Sequence, residues 1–208
     1  MVAVKICGVT RVQDAELCVE TGADAIGLNF HPRSPRCVTV DVARTIAAAI
    51  RGRALVVGVF VDAPYEELVR ITREVGLGCV QLHGDEPPEL LARLLPHAYK
   101  AIRVRDERSI ERARRYGGEH LLLDAYVVGE AGGTGHTFNW ALAKGLASER
   151  RVTLAGGLTP DNVDAAIAAV HPYCVDVASG VESAPGLKDP AKVRAFIAAA
   201  KAGAAPAR

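Results

Sequence analysis

Eight short runs of β-branched and aliphatic residues recur along this chain, each followed by a longer amphipathic or alanine-rich stretch. The runs are Val2–Ile6, Ala25–Asn29, Ala54–Val61, Cys79–Leu82, Ala98–Val104, His120–Leu123, Arg151–Leu154 and Cys174–Val177. Helical periodicity follows near Val12–Glu20, Val42–Ile50, Tyr65–Val75, Pro88–Leu94, Ser109–Tyr116, Trp140–Ala147, Asp161–Val170 and Ala191–Ala200. Strict alternation of this kind requires parallel strands joined by right-handed crossovers. Two closures satisfy it, a (β/α)8 TIM barrel and an open doubly wound sheet. The first strand–helix turn, Gly8-Val9-Thr10, lacks the GxGxxG of a dinucleotide-binding sheet. The chain allots about 26 residues to each unit, the lower end of the barrel range. The expectation is a single (β/α)8 barrel domain over residues 1–208, with a frayed tail from about Ala202. Thr10 is expected to cap the first helix, and Thr159 the seventh, with Pro160 in its first turn.

Composition narrows the function classes. Half the residues are apolar and 24% charged, which excludes a disordered chain. A net charge of +1 offers nothing to hold nucleic acid. Apolar runs such as Leu55–Val61 fall short of the ~20 residues of a membrane span. The opening residues read as a strand rather than a secretory leader, so a cytoplasmic protein without nucleic-acid or membrane partners is expected. Five cysteines, an odd number with no CxxC pair, read as reduced thiols rather than a disulfide framework or a zinc site. Monomer and homodimer fit the sequence equally.

In a barrel the chemistry gathers where strands pass into the following loops. Here those positions collect Cys7, His31, Asp62, His83, Asp124, Gly156-Gly157 and Ser179-Gly180. Gly156, Gly157, Ser179 and Gly180 begin loops seven and eight, the recurrent phosphate site of barrels, where glycine lets backbone amides approach an anion. Tight turning alone would also account for them. Cys7 and Asp124 stand at strand ends one and six. A thiol with pKa near 8.5 and a carboxyl near 3.9 can serve as base and acid once their surroundings shift them. A buried structural thiol is the alternative for Cys7. Lys5 shares the strand parity of Cys7 and can favour its thiolate. Arg36, in a proline-fixed loop, either presents a fork to a carboxylate or belongs to a solvated basic loop. His83 either bonds substrate or a neighbouring loop, and Asp176 reads as a buried, paired carboxylate or a contact to substrate. The glycine-rich segment 125–137 is long enough to close over a ligand.

Taken in order, several strings resemble the phosphoribosylanthranilate isomerase family. They are Lys5-Ile6-Cys7-Gly8, Gly27-Leu28-Asn29-Phe30 with Ser34-Pro35-Arg36, Val57-Gly58-Val59-Phe60-Val61, and Gln81-Leu82-His83-Gly84-Asp85-Glu86. Leu122-Leu123-Asp124, Gly132-Gly133-Thr134-Gly135 with Phe138-Asn139-Trp140, Leu154-Ala155-Gly156-Gly157-Leu158 and Val175-Asp176-Val177-Ala178-Ser179-Gly180-Val181-Glu182 continue the match. The family commonly has aspartate where Asn139 stands and often serine where Ala178 stands. The resemblance implies a cofactor-free, metal-free isomerase of tryptophan biosynthesis acting on a phosphorylated small molecule. It implies Cys7 as general base, Asp124 as general acid, Arg36 on the anthranilate carboxylate, and Gly156, Gly157, Ser179 and Gly180 around phosphate. Two rival readings remain: another phosphate-binding barrel enzyme, either a lyase of the tryptophan synthase α-subunit type or a Schiff-base aldolase using Lys5 or Lys100, and a phosphate-ligand binding module without catalysis.

Overall fold

The computed structural model describes residues 1–124 and 140–203. Its strands are β1 (Ala3–Cys7), β2 (Ala25–Asn29), β3 (Leu55–Phe60), β4 (Cys79–Leu82), β5 (Ala98–Arg103), β6 (His120–Asp124), β7 (Arg151–Ala155) and β8 (Cys174–Val177). They form a closed parallel barrel in chain order, β1 bonding β2 on one side and β8 on the other. The closed alternative is therefore the one adopted. Helices α1 (Val12–Thr21), α2 (Val40–Ala49), α3 (Tyr65–Val75), α4 (Pro88–Leu94), α5 (Glu107–Arg114), α6 (Trp140–Glu149), α7 (Val163–Val170) and α8 (Pro190–Gly203) connect them. None of the described helices is long and apolar enough to cross a membrane.

Strand residues pack on two sides. Ile6, Ile26, Leu28, Leu121 and Leu123 join Ile46, Leu68, Ile167 and Phe196 in the layer between strands and helices. Each such side chain contributes about 1.5–3 kcal/mol by leaving water. Ala25, Val57, Tyr99, Ala101, Leu122 and Ala155 form a separate cluster inside the barrel. With both faces covered, strands such as β6 read as continuous apolar runs instead of alternating ones. The many small residues on the inner face leave room for Lys5, Gln81, Tyr99 and Asp176, all buried.

The helix starts depart from expectation where capping was misassigned. Thr10 does not cap α1; its hydroxyl donates to the Gly186 carbonyl at 2.7 Å, and Arg11 occupies the cap without a side-chain bond. Thr159 does not cap α7 either. Its hydroxyl accepts from the Asp161 amide in a turn, so the helix starts later, at Val163, and Pro160 stays outside it. Conversely Thr39 and Asp106 do cap α2 and α5, accepting from the amides of Val42 and Ser109, which starts both helices two residues early. The last helix runs to Gly203, past the predicted onset of fraying. Beyond β8 the chain forms a 3-10 turn (Ser179–Val181) and an antiparallel hairpin of β9 (Glu182–Ala184) and β10 (Leu187–Lys188). Strands this short carry no readable period.

At the end of the barrel opposite the strand C-termini lies a cavity of about 480 Å³, lined by residues including Lys5, Tyr99, His120, Arg151 and Tyr173. The His120 ring lies 4.3 Å from Tyr99 and 5.8 Å from Tyr173, centroid to centroid, with Nε2 2.7 Å from Thr153 Oγ1. Burial, helped by the Lys5 and Arg151 cations, pushes its pKa down to about 4. The unfolded chain, titrating normally near 6.5, then binds a proton that the folded chain refuses between the two values. Stability therefore falls as pH drops from about 6.5 towards 4, by on the order of 3 kcal/mol from this ring. Urea midpoints at pH 7 and 4.5 should diverge less in His120→Asn than in the unaltered protein; equal divergence would refute the assignment.

Candidate active site

The rim formed by the strand C-termini brings most of the sequence candidates together. Cys7 closes β1 and Asp124 closes β6, with two strands, β7 and β8, between them on the shorter way round. Cys7 is half-buried. Its sulfur and the Lys5 ammonium both lie over Gly27, where a Cβ would stand 2.7 Å from the sulfur and 3.1 Å from the Lys5 nitrogen. The missing side chain at position 27 is what gives them space.

Lys5 pairs with Asp176 directly across the β1–β8 seam, Nζ donating to Oδ1 at 3.0 Å. Burial disfavours the ammonium, but Asp176 and the Cys7 sulfur outweigh it and hold the Lys5 pKa well above its usual value. Burial raises the Cys7 thiol, and the Lys5 and Lys188 ammoniums oppose that rise. The cations beside the sulfur are thus what opposes the rise that burial imposes on this thiol. Asp176 sits one layer below Cys7, facing its lysine rather than the rim.

Around the neighbouring seam, Arg36 lies against Gly8, whose φ of +70° and contact with the Arg36 side chain leave no room for a Cβ. The guanidinium is already engaged. Nε and Nη2 donate to the two oxygens of Glu182 at 2.8 and 2.6 Å. Glu182 also accepts from Lys188 Nζ at 2.9 Å, and Lys188 donates as well to the carbonyls of Cys7 (2.7 Å) and Ala178 (3.1 Å). Burial works against the Glu182 carboxylate, yet the bonds from Arg36 and Lys188 keep its pKa below the ordinary value. Among the described residues nothing accepts from Arg36 Nη1, so the fork is fixed in place with one edge left for a ligand. The sequence reading missed Glu182 and Lys188, because only the short hairpin brings them to Arg36.

Gly156 and Gly157 follow β7 with φ of +92° and +65°. Gly180, in the turn after β8, lies so close to the Leu158 carbonyl that a Cβ there would collide with it. Loops seven and eight are thereby pressed together, with Ser179 beside them. Among the described residues neither the Gly156 nor the Gly157 amide donates a hydrogen bond. His83, just past β4, lies 3.2 Å from Asp124 Oδ2 through Nε2 and 2.6 Å from Gln81 Nε2 through Nδ1. Both ring nitrogens are used within the protein. Segment 125–137 and Asn139 lie outside the described residues.

The lysines of the aldolase reading are both tied down. Lys100 pairs with Glu86 at 3.1 Å and donates to the carbonyls of Leu82, Gly84 and Ala101, only 2% exposed. Lys5 is equally buried and paired. A Schiff base needs a free amine that carbonyl substrates can reach, which neither offers.

The closed barrel, with a thiol and a carboxyl on its rim, defines a (β/α)8 scaffold equipped for acid–base chemistry. A model of the N-(5'-phosphoribosyl)anthranilate isomerase family matches residues 4–199. The N-(5'-phosphoribosyl)anthranilate isomerase of Pelobacter propionicus is 48% identical over 201 residues, covering 97% of this chain and 96% of the relative. The crystal structure of phosphoribosyl anthranilate isomerase from Thermotoga maritima superposes with a TM-score of 0.90 at 42% identity, covering 97% of this chain and all of that one. A phosphoribosyl anthranilate isomerase solved with reduced 1-(o-carboxyphenylamino)-1-deoxyribulose 5-phosphate gives 0.87 at 40% identity, with the same coverage. This chain belongs to the N-(5'-phosphoribosyl)anthranilate isomerase family.

Proposed function

We propose that the chain converts N-(5-phosphoribosyl)anthranilate to 1-(2-carboxyphenylamino)-1-deoxyribulose 5-phosphate, the aldose-to-ketose step of tryptophan biosynthesis, with Cys7 and Asp124 moving the protons. The observation that carries this reading is the family match over residues 4–199, within which Cys7 and Asp124 end β1 and β6. Asp124, protonated, gives its proton to the ribose ring oxygen; the ring C–O bond breaks and the anthranilate nitrogen's lone pair forms a protonated Schiff base. Cys7, as thiolate, takes the proton from the adjacent carbon, and the iminium receives the electron pair to give an enolamine. Tautomerisation of the enolamine yields the ketone. Positioned transfers of this kind typically contribute about 10²–10⁴-fold each. The carbon beside nitrogen takes its proton from the Cys7 thiol and the enol hydroxyl gives one to the Asp124 carboxylate, which restores both side chains and balances electrons and protons.

The free edge of Arg36 suits the anthranilate carboxylate. Gly156, Gly157, Ser179 and Gly180 suit the phosphate, whose charge favours converging amides. His83 and Asp176 serve the substrate at one remove, through Asp124 and Lys5 respectively. The phosphorylated substrate is a small molecule, and one relative, the Thermotoga maritima enzyme, is a dimer from which monomers have been generated; this chain is proposed to work as a monomer or homodimer in the cytoplasm.

Loss of substrate fluorescence on adding the protein tests the activity, and no loss would refute it. Arg36→Ala should raise KM by about 10–100-fold, the worth of a charge-assisted hydrogen bond, with a smaller change in kcat. Lys188 still pairs with Glu182 in that variant, so the fold should survive. A fall in kcat at constant KM would contradict the role given to Arg36.

A further inference from the structure

A chain of buried hydrogen bonds leads from the barrel interior to the proposed acid. Tyr99 and Gln81 face one another in register on β5 and β4, and are 3% and 1% exposed. The Tyr99 hydroxyl donates to Gln81 Oε1 at 2.9 Å. The amide is set with Oε1 on that hydroxyl and Nε2, which carries only protons, facing His83 Nδ1 at 2.6 Å. Nδ1 must then accept, which places the ring proton of neutral imidazole on Nε2, 3.2 Å from Asp124 Oδ2. No other partner competes for these atoms among the described residues, and Gln81 is itself buried inside the barrel.

We propose that Gln81 and Tyr99 are positioning residues for Asp124, acting through His83 by fixing which ring nitrogen carries its proton. Their role in turnover rests on the reading of Asp124 as the acid, but the proton placement does not. His83 holds one carboxyl oxygen and so aims the other at the substrate. When Asp124 has given up its proton, the same N–H bonds the carboxylate that forms. A ring with the wrong nitrogen protonated would present a lone pair to that carboxylate and push it away. Polar interior residues with no such duty would be costly to keep, since an amide in a barrel core needs every bond satisfied.

The test is Gln81→Glu, nearly isosteric, followed by nitrogen-15 NMR of the histidine ring and by steady-state kinetics. In the unaltered protein His83 should show a protonated Nε2 and a bare Nδ1. In the variant a carboxylate faces Nδ1 and can only accept, so Nδ1 should become protonated, and with Asp124 on Nε2 the ring then carries both protons and holds Asp124 as a carboxylate with no proton to give. The expected kinetic result is a fall in kcat of about 100-fold, the size of a misplaced catalytic group, with KM changed less than about threefold. A merely structural role would lower the melting temperature and leave the ring proton and the kcat-to-KM split unmoved.

Should the glutamate variant not fold, Tyr99→Phe removes the bond that orients the amide while keeping the ring. It should give His83 a mixture of both tautomers and a smaller loss in kcat. Nδ1 protonation in the unaltered protein, or a moved proton with unchanged kcat, would overturn the proposal. If the proton moves, kcat holds and Asp124→Asn is also fully active, the fault lies with the reading of Asp124 as the acid instead.

Discussion

Cys7→Ala and Asp124→Asn should each lower kcat by about 10²–10⁴-fold, the range of one positioned proton transfer. Neither change should unfold the barrel. Cys7 is a small side chain at a strand end, and the main-chain bonds of β1 to β2 and β8 do not depend on it. Asparagine keeps an oxygen for the His83 N–H, so its geometry persists while the transferable proton is gone. Turnover measured by loss of substrate fluorescence, beside a circular dichroism melt, separates chemistry from folding. Near-normal turnover in either variant would remove that residue from its role. With both active, the mechanism fails.

The largest expected loss of stability comes from the other end of the β4 loop. Glu86 accepts from the amides of Asp62 (2.9 Å) and Gly84 (2.9 and 3.0 Å) and pairs with buried Lys100. Burial lowers the Lys100 pKa, and Glu86 is the first group opposing that. Glu86→Ala would strand an ammonium among carbonyls and leave only the bond from the Asp85 amide to Asp62 Oδ1 joining the β3 and β4 loops. Breaking one side of a buried pair in this way costs about 3–5 kcal/mol. For a chain of this size that corresponds to a fall in Tm on the order of 10 °C. Replacing both members, Glu86→Gln with Lys100→Met, should recover part of the loss, because no orphan charge remains. A Glu86→Ala urea midpoint equal to that of the unaltered protein would show the pair to be idle.

How much was readable in advance follows from the same physics. Strands announced themselves because burial on both faces demands runs such as Leu121-Leu122-Leu123, and β2, β4 and β8 have the bounds the sequence suggests. Cys7, His83 and Asp124 were legible as polar groups terminating those runs, where a closed parallel barrel puts its rim. Helix starts were less so: several hydroxyls and carboxyls could cap, and only the backbone decides that Asp106 does and Thr10 does not. The partners were hidden altogether. Gln81 meets Tyr99 through strand register, Lys5 meets Asp176 across 171 residues, and Arg36 meets Glu182 across 146. Distances in space of that kind have no periodic trace in a chain.

The seam between the first and last strands has a consequence for biosynthesis. A ribosome delivers β1 before the other seven barrel strands, but one edge of it stays unmatched until residues 174–177 have been made, and Arg36 waits longer still for Glu182 and its Lys188 brace. Sequence-distant pairings of this sort slow folding. The Cys7 thiol is thus made with the first strand of the barrel while the counter-ion of its lysine comes with the eighth, so a chain stalled short of β8 would expose a strand edge and leave Lys5 without Asp176.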